Sequence, residues 1–202
     1  MKLVRIGEIG KEKPAVIIGE KYFDVSNHFV DFNESFFENN GIKQLELVVS
    51  KGGLQAIEKV GRIGSCVARP SKIICVGLNY ADHAKETGAA IPTEPILFFK
   101  STTALSGPFD NVIIPKNSEK TDWEVEFAIV IGKKASYVDE KDAYDYIAGY
   151  CLHNDISERA FQLERGGNWS KGKGCDTFAP IGPFLATKDE IDDVHNLNMW
   201  LN

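Results

Sequence analysis

Asp122-Trp123-Glu124-Val125-Glu126-Phe127-Ala128-Ile129-Val130-Ile131-Gly132 decides how this chain is read. The run is rich in β-branched and aromatic residues and closes on a glycine, which predicts a β-strand. Side chains alternate faces along a strand, so Glu124 and Glu126 share one face. Two neighbouring carboxylates repel each other. Next to Val125, Phe127 and Ile129 they call for a compensating cation, which a bound divalent metal would supply. A solvated strand face is the plainer alternative.

The composition is that of an ordinary globular protein. The chain has 202 residues, 43% hydrophobic and 26% charged, enough to bury a real core. A net charge of −6 argues against a general nucleic-acid binder, which carries a basic face. No run of eighteen apolar residues predicts a membrane span. The segment Met1 to Glu8 lacks the apolar stretch of a signal peptide. Cys66, Cys75, Cys151 and Cys175 stand far apart, so no Cys-x-x-Cys zinc site is expected. Cys75 and Cys151 sit in apolar runs and read as small buried hydrophobes. Free thiols and the lack of an export signal predict a cytoplasmic location.

Punctuation by turn residues sets the expected elements. Lys2 to Ile9 and Ala15 to Val25 read as a strand pair, and 32–60 as mixed and helical, broken at Asn39-Asn40-Gly41 and Gly52-Gly53. Leu54, Ile57 and Val60 have the spacing of a short amphipathic helix. Arg69-Pro70 marks a boundary, giving a small N-terminal α+β domain over 1–68 and a main domain over 69–202. In the main domain Lys72 to Gly77 reads as a buried strand, Tyr80 to Thr87 as a short helix ending at Gly88, and Pro95 to Phe99 and Val112 to Pro115 as strands. Asp139 to Tyr146 reads as helical, Ile147 to His153 as a strand, and Gly166 to Pro183 as a loop before a strand at Phe184 to Thr187. Leu197 to Asn202 alternates like the opening of another strand. Gly167 to Gly174 nearly matches a Walker A loop, but Gly174 stands where Ser or Thr would hold magnesium, and no strand-loop-helix context surrounds it.

Four segments carry chemistry in order: Val76-Gly77-Leu78-Asn79-Tyr80-Ala81-Asp82-His83-Ala84-Lys85-Glu86, the Glu124 and Glu126 strand, His153-Asn154-Asp155-Ile156-Ser157-Glu158-Arg159-Ala160-Phe161-Gln162, and Lys171-Gly172-Lys173-Gly174-Cys175-Asp176-Thr177-Phe178-Ala179-Pro180-Ile181-Gly182-Pro183. Together they resemble the fumarylacetoacetate hydrolase family, from about residue 70 to the end. The likeness is to the bacterial branch that acts on small diketo acids, such as 2,4-diketo-3-deoxy-sugar-acid hydrolases, some of which are labelled ureidoglycolate lyase. It implies a β-rich α+β fold, with a mixed β-sandwich or β-roll catalytic domain behind a small N-terminal α+β domain, and a homodimer.

The resemblance also implies roles. Glu124, Glu126 and Asp155 occupy the positions of metal ligands. Three carboxylates with no His or Cys suit a hard cation, Mg²⁺ or alternatively Mn²⁺. On its own, Asp155 reads as a turn or helix N-cap residue; beside the Glu pair it reads as a ligand. His83 and Glu86, spaced i, i+3, resemble a water-activating dyad on a segment that orders over substrate; the alternative is an exposed pair. Lys173 matches the family's active-site lysine, which stabilises oxyanion or enolate charge. Arg159 and Gln162 match substrate-contacting positions, and Lys100 is a further substrate-binding candidate. His28, His153 and His195 read as structural or exposed.

The implied reaction is metal-dependent hydrolytic cleavage of a C–C bond in a small 2,4-diketo acid. His83, oriented by Glu86, would deprotonate water for attack on the distal carbonyl. The same core serves oxaloacetate decarboxylation, hydration or isomerisation of a 2-oxo-alkenoate, and ureidoglycolate lyase chemistry. Family members end with further strands and a Thr-Gly-Thr-Pro-like loop not found before Asn202. A catalytic domain incomplete at its C-terminus is therefore expected. An inactive fragment, or a non-catalytic binding or scaffold role, is the reading from a different class.

Overall fold

β1 (Lys2–Ile6), β2 (Lys13–Ile18) and β3 (Lys21–Asp24) begin the chain as an antiparallel meander. They belong to the computed structural model of the protein, which describes residues 1–201. The expected single strand at 15–25 is thus two strands, because the chain reverses at Gly19-Glu20 between them. α1 (Glu34–Glu38) follows, capped by the Asn33 side chain, which accepts from the Phe36 N–H. Then come α2 (Gly41–Lys51) and β4 (Gln55–Ala56). The helix expected from Leu54, Ile57 and Val60 does not form. The glycines at 52 and 53 end α2, and the next residues pair with β3 instead, with Ile57 N–H donating to the Tyr22 carbonyl.

The second half supplies β5 (Ile73–Gly77), α3 (Ala81–Thr87), β6 (Ile96–Lys100), β7 (Leu105–Ser106), β8 (Thr121–Asp122) and β9 (Val125–Ile131). A 3₁₀ turn at Glu140–Tyr146 leads into β10 (Ile147–Asn154). β11 (Ser157–Glu158), α4 (Arg159–Leu163), α5 (Ser170–Lys173) and β12 (Ala179–Thr187) complete it. α3 ends where the sequence predicts, at Gly88 in the left-handed conformation (φ 67°). The strand expected at Val112 to Pro115 does not form; the Ile113 N–H goes to the Thr177 hydroxyl. The expected loop at 166–183 contains α5 and the first residues of β12, which starts at Ala179 by pairing in parallel with β7. Residues 197–201 form no strand, and Asn202 lies outside the described residues.

The protein is a sheet-rich α+β fold. One mixed eight-stranded sheet runs β4-β3-β2-β1-β12-β10-β9, with β7 added on β12. Two small two-stranded sheets, β5-β6 and β8-β11, accompany it. Residues 1–68 share that sheet through the β1–β12 pairing, which sets Leu3 opposite Leu185. They also share its core, where Leu3, Val16, Val25, Phe32 and Leu45 pack with Cys151, Ile181 and Leu185. The β5-β6 hairpin is less covered than a buried strand would be: Ile74, Val76, Leu97 and Phe99 pair across one face and are all exposed.

Candidate active site

Hairpin register brings the acidic residues together. β9 and β10 run antiparallel with Glu126 opposite His153 and Val125 opposite Asn154. The Asp155 N–H donates to the Glu124 carbonyl at 2.9 Å, and the Asn154 side chain accepts from the Glu124 N–H at 3.2 Å. Glu124, just before β9, and Asp155, just after β10, therefore meet at the same end of the hairpin, with Glu126 one step along the shared face.

α5 and α4 close over this end with cations. Lys173 Nζ lies between two carboxylates, 2.9 Å from Glu124 Oε2 and 2.8 Å from Asp155 Oδ2. Arg159 donates from one terminal nitrogen to Glu124 Oε1 at 2.6 Å and to Asp122 at 2.8 Å. Gln162 is buried, and its carbonyl oxygen accepts from Arg159 at 3.2 Å. Gly172 permits this packing: a Cβ there would fall 2.4 Å from the Glu158 carbonyl oxygen.

Lys100 reaches the cluster from β6. Its side chain has no exposed surface. Its ammonium stands 2.6 Å from Asp155 Oδ1 and donates to the carbonyls of Ile156, Lys173 and Phe178 at 3.0, 2.8 and 2.8 Å. All three N–H donors end on main-chain oxygens, and Lys100 ties β6 to the turn after β10 and to both ends of the α5–β12 connection.

The electrostatics separate the acids. Burial raises the Asp155 carboxyl, but the ammonium groups of Lys100 and Lys173 outweigh it and hold the group below the usual aspartate range. Burial pushes Glu126 up to about 7; the Tyr80 hydroxyl opposes this, and the charges of Asp155 and Glu124 reinforce it. Glu126 is the acid of the trio with no ion pair among the described residues. His153, expected to be structural or exposed, is buried. Its Nδ1 meets the Pro180 carbonyl at 3.1 Å, and its Nε2 has no hydrogen-bond partner. Burial, then the nearby Lys100 charge, brings the ring down to about 4, so it is neutral near pH 7 and Nδ1 carries the proton.

His83 is half-buried and Glu86 exposed, both on α3. Among the described residues no hydrogen bond joins their side chains, and neither touches the carboxylates. A concavity of about 520 Å³, open to solvent, lies between Ile96–Phe99 and Gly166–Ser170. Its wall borders the lysine: Trp169 packs edge-on against Phe98, whose ring lies 5.2 Å from Lys173 Nζ.

Residues 72–202 match the family model for the fumarylacetoacetate (FAA) hydrolase C-terminal region. The chain belongs to the fumarylacetoacetate hydrolase family. A relative from Burkholderia cenocepacia (strain HI2424), provisionally named a hydrolase, is 48% identical over all of this chain and 71% of its own length. The structure of 5-carboxymethyl-2-hydroxymuconate delta-isomerase from Mycobacterium smegmatis is 31% identical, with a TM-score of 0.70 over 95% of this chain and 67% of that one. Maleylpyruvate hydrolase from Sphingobium sp. SYK-6, solved with manganese(II) and pyruvate, is 26% identical, with a TM-score of 0.74 over 96% and 69%. Family membership makes the chain a relative of enzymes, both hydrolases and isomerases. No helix among the described residues is long and apolar enough to cross a membrane.

Whether the residues suit a divalent ion can be tested on the donor set. Glu124, Glu126 and Asp155 offer oxygen alone, as hard cations require. Among the described residues no three His, Cys, Asp or Glu side chains stand close enough to form a ready-made cage; the Lys173 ammonium sits between two of the three acids. That ammonium is a stand-in cation, and Glu126 beside it has a carboxylate still in want of positive charge. The donor chemistry fits a hard ion once Lys173 withdraws from between Glu124 and Asp155.

Sequence reading missed three groups here. Tyr80 caps the open edge of β9, with its hydroxyl accepting from the Phe127 N–H at 3.2 Å. Glu158 is fully buried and collects the Ser118 and Thr121 hydroxyls and the N–H groups of Lys120 and Ala160. His153 is the third. A polar residue inside an apolar strand was the available signal for His153; nothing local distinguishes Tyr80 or Glu158.

Proposed function

We propose that this protein is a divalent-metal-dependent hydrolase that cleaves a C–C bond in a small 2,4-diketo acid. The observation that supports the reading is the β9–β10 register, which brings Glu124 and Asp155 to either side of one cation, the Lys173 ammonium, with Glu126 two residues along from Glu124. In this reading those three residues hold Mg²⁺ or Mn²⁺. The ion, when bound, would supply Lewis-acid polarisation of an α-oxo acid. Manganese and pyruvate in the Sphingobium maleylpyruvate hydrolase structure support both the ion class and the ligand class.

This chain's own residues do the rest. Lys173, released from Glu124 and Asp155, places a positive charge where oxygen charge develops as the bond breaks. Arg159 holds Asp122 and Glu124, and the terminal nitrogen that donates to Gln162 keeps one N–H for a substrate carboxylate. His83, with Glu86 three residues on, takes the proton from water on the exposed side of the site. Isomerisation on the same core is the second reading, favoured by the likeness to the Mycobacterium smegmatis isomerase. A homodimer belongs to the proposal, supported by the exposed apolar face of the β5-β6 hairpin. A panel of acylpyruvates, oxaloacetate and 2-oxo-alkenoates, assayed with Mn²⁺ and with EDTA, tests the chemistry. Turnover that persists in EDTA, or none with any 2-oxo acid, defeats it.

A further inference from the structure

β9 is the last strand of the large sheet, so alternate N–H groups along its outer edge have no strand to meet. One of them, Phe127 N–H, ends on the Tyr80 hydroxyl at 3.2 Å. Accepting there leaves the hydroxyl its own proton, and the same hydroxyl is among the groups that oppose the rise of the Glu126 carboxyl. Tyr80 immediately precedes α3, in extended conformation. Two residues earlier Leu78 takes a left-handed backbone (φ 51°), which is strained for a residue with a Cβ. The chain accepts that strain to turn out of β5 and bring the phenol back onto β9.

α3 has little else to hold it. Its hydrogen bonds run within residues 80–89, and Ala84 is its one buried side chain. Among the described residues, the polar contacts that leave the segment 79–89 pass through the Tyr80 hydroxyl. We propose that Tyr80 is a positioning residue that latches the helix carrying His83 and Glu86 onto the edge of β9 beside Glu126. The phenol accepts from a strand amide; phenylalanine fills the same space and cannot. The positioning role rests on the function proposed above, whereas the latch itself rests on geometry alone.

Tyr80→Phe in the whole chain separates the two. In EDTA, hydrogen exchange at the Phe127 amide and across 81–87 should rise about five- to ten-fold, the loss expected for one hydrogen bond. Exchange in β1 and β2 should not change. With Mn²⁺, calorimetric affinity should stay within about two-fold, while kcat on an acylpyruvate falls at unchanged KM. Unchanged exchange at Phe127 and 81–87 overturns the latch. Faster exchange with undiminished kcat overturns the positioning role. A wild-type chain that binds no Mn²⁺ defeats the functional reading instead, and the exchange comparison still decides the latch.

Discussion

Replacing Glu126 by Gln should stabilise the metal-free protein while destroying its ion site. The Glu126 carboxyl, ordinarily near 4.5, is pushed up to about 7, chiefly by burial. Below pH 4.5 it is neutral both folded and unfolded and contributes no difference. Between 4.5 and about 7 the unfolded chain gives up this proton and the folded chain keeps it, so stability declines as pH rises. Above 7 both states are ionised and the deficit is complete. At about 1.4 kcal/mol for each pH unit, that interval comes to about 3 kcal/mol. Gln copies the protonated form in shape and stays neutral at every pH. The variant should match wild type near pH 4.5 and exceed it by up to about 3 kcal/mol at pH 8, or roughly 6–12 °C in Tm for a chain of this size. Urea unfolding in EDTA from pH 4 to 8.5, run on both proteins, reads the difference directly. Mn²⁺ calorimetry on the same samples should show binding lost in the variant. Stability curves that stay parallel across that pH range would refute the reasoning, because burial would then not be acting on an ionising Glu126.

Lys100→Met leaves Asp155 Oδ1 without its ammonium and strips three carbonyls of a donor; a loss of about 3–5 kcal/mol is expected, and a urea midpoint that moves by under about 1 kcal/mol contradicts the clamp. Gly77→Ala places a Cβ 2.5 Å from the Trp169 ring, so it should cost about 1–3 kcal/mol and shift tryptophan emission; an unaltered spectrum and midpoint count against that packing. Mn²⁺ at about a hundred times its dissociation constant should add about 2.7 kcal/mol to stability, reversed by EDTA; a Tm indifferent to both removes the ion from the account.

What the sequence made legible follows the range of the forces involved. The Glu124 and Glu126 face, the end of α3 at Gly88 and the strand at 147–153 were readable because alternation and a C-cap glycine act within a few residues. The placing of Asp155 beside Glu124 depends on β9–β10 register, which one sequence specifies only weakly, and it came from the family resemblance. The contacts of Lys100 were not legible because its partners lie 55 or more residues away. The helix expected around Leu54–Val60 failed because strand pairing with β3 overrode a three-residue periodicity. Similarly, the start of β12 was hidden by its prolines, which were compatible with parallel pairing to β7.

The antiparallel seam between β1 and β12 joins Leu3 to Leu185, and the terminal amine of Met1 is fastened to Thr187 and Glu190. During synthesis the opening strands must therefore wait, one edge bare, until the residues through Thr187 have left the ribosome. Closing so long a loop makes assembly slow and exposes the nascent meander to mispairing in the meantime. An affinity tag fused ahead of Met1 would insert bulk at that very seam.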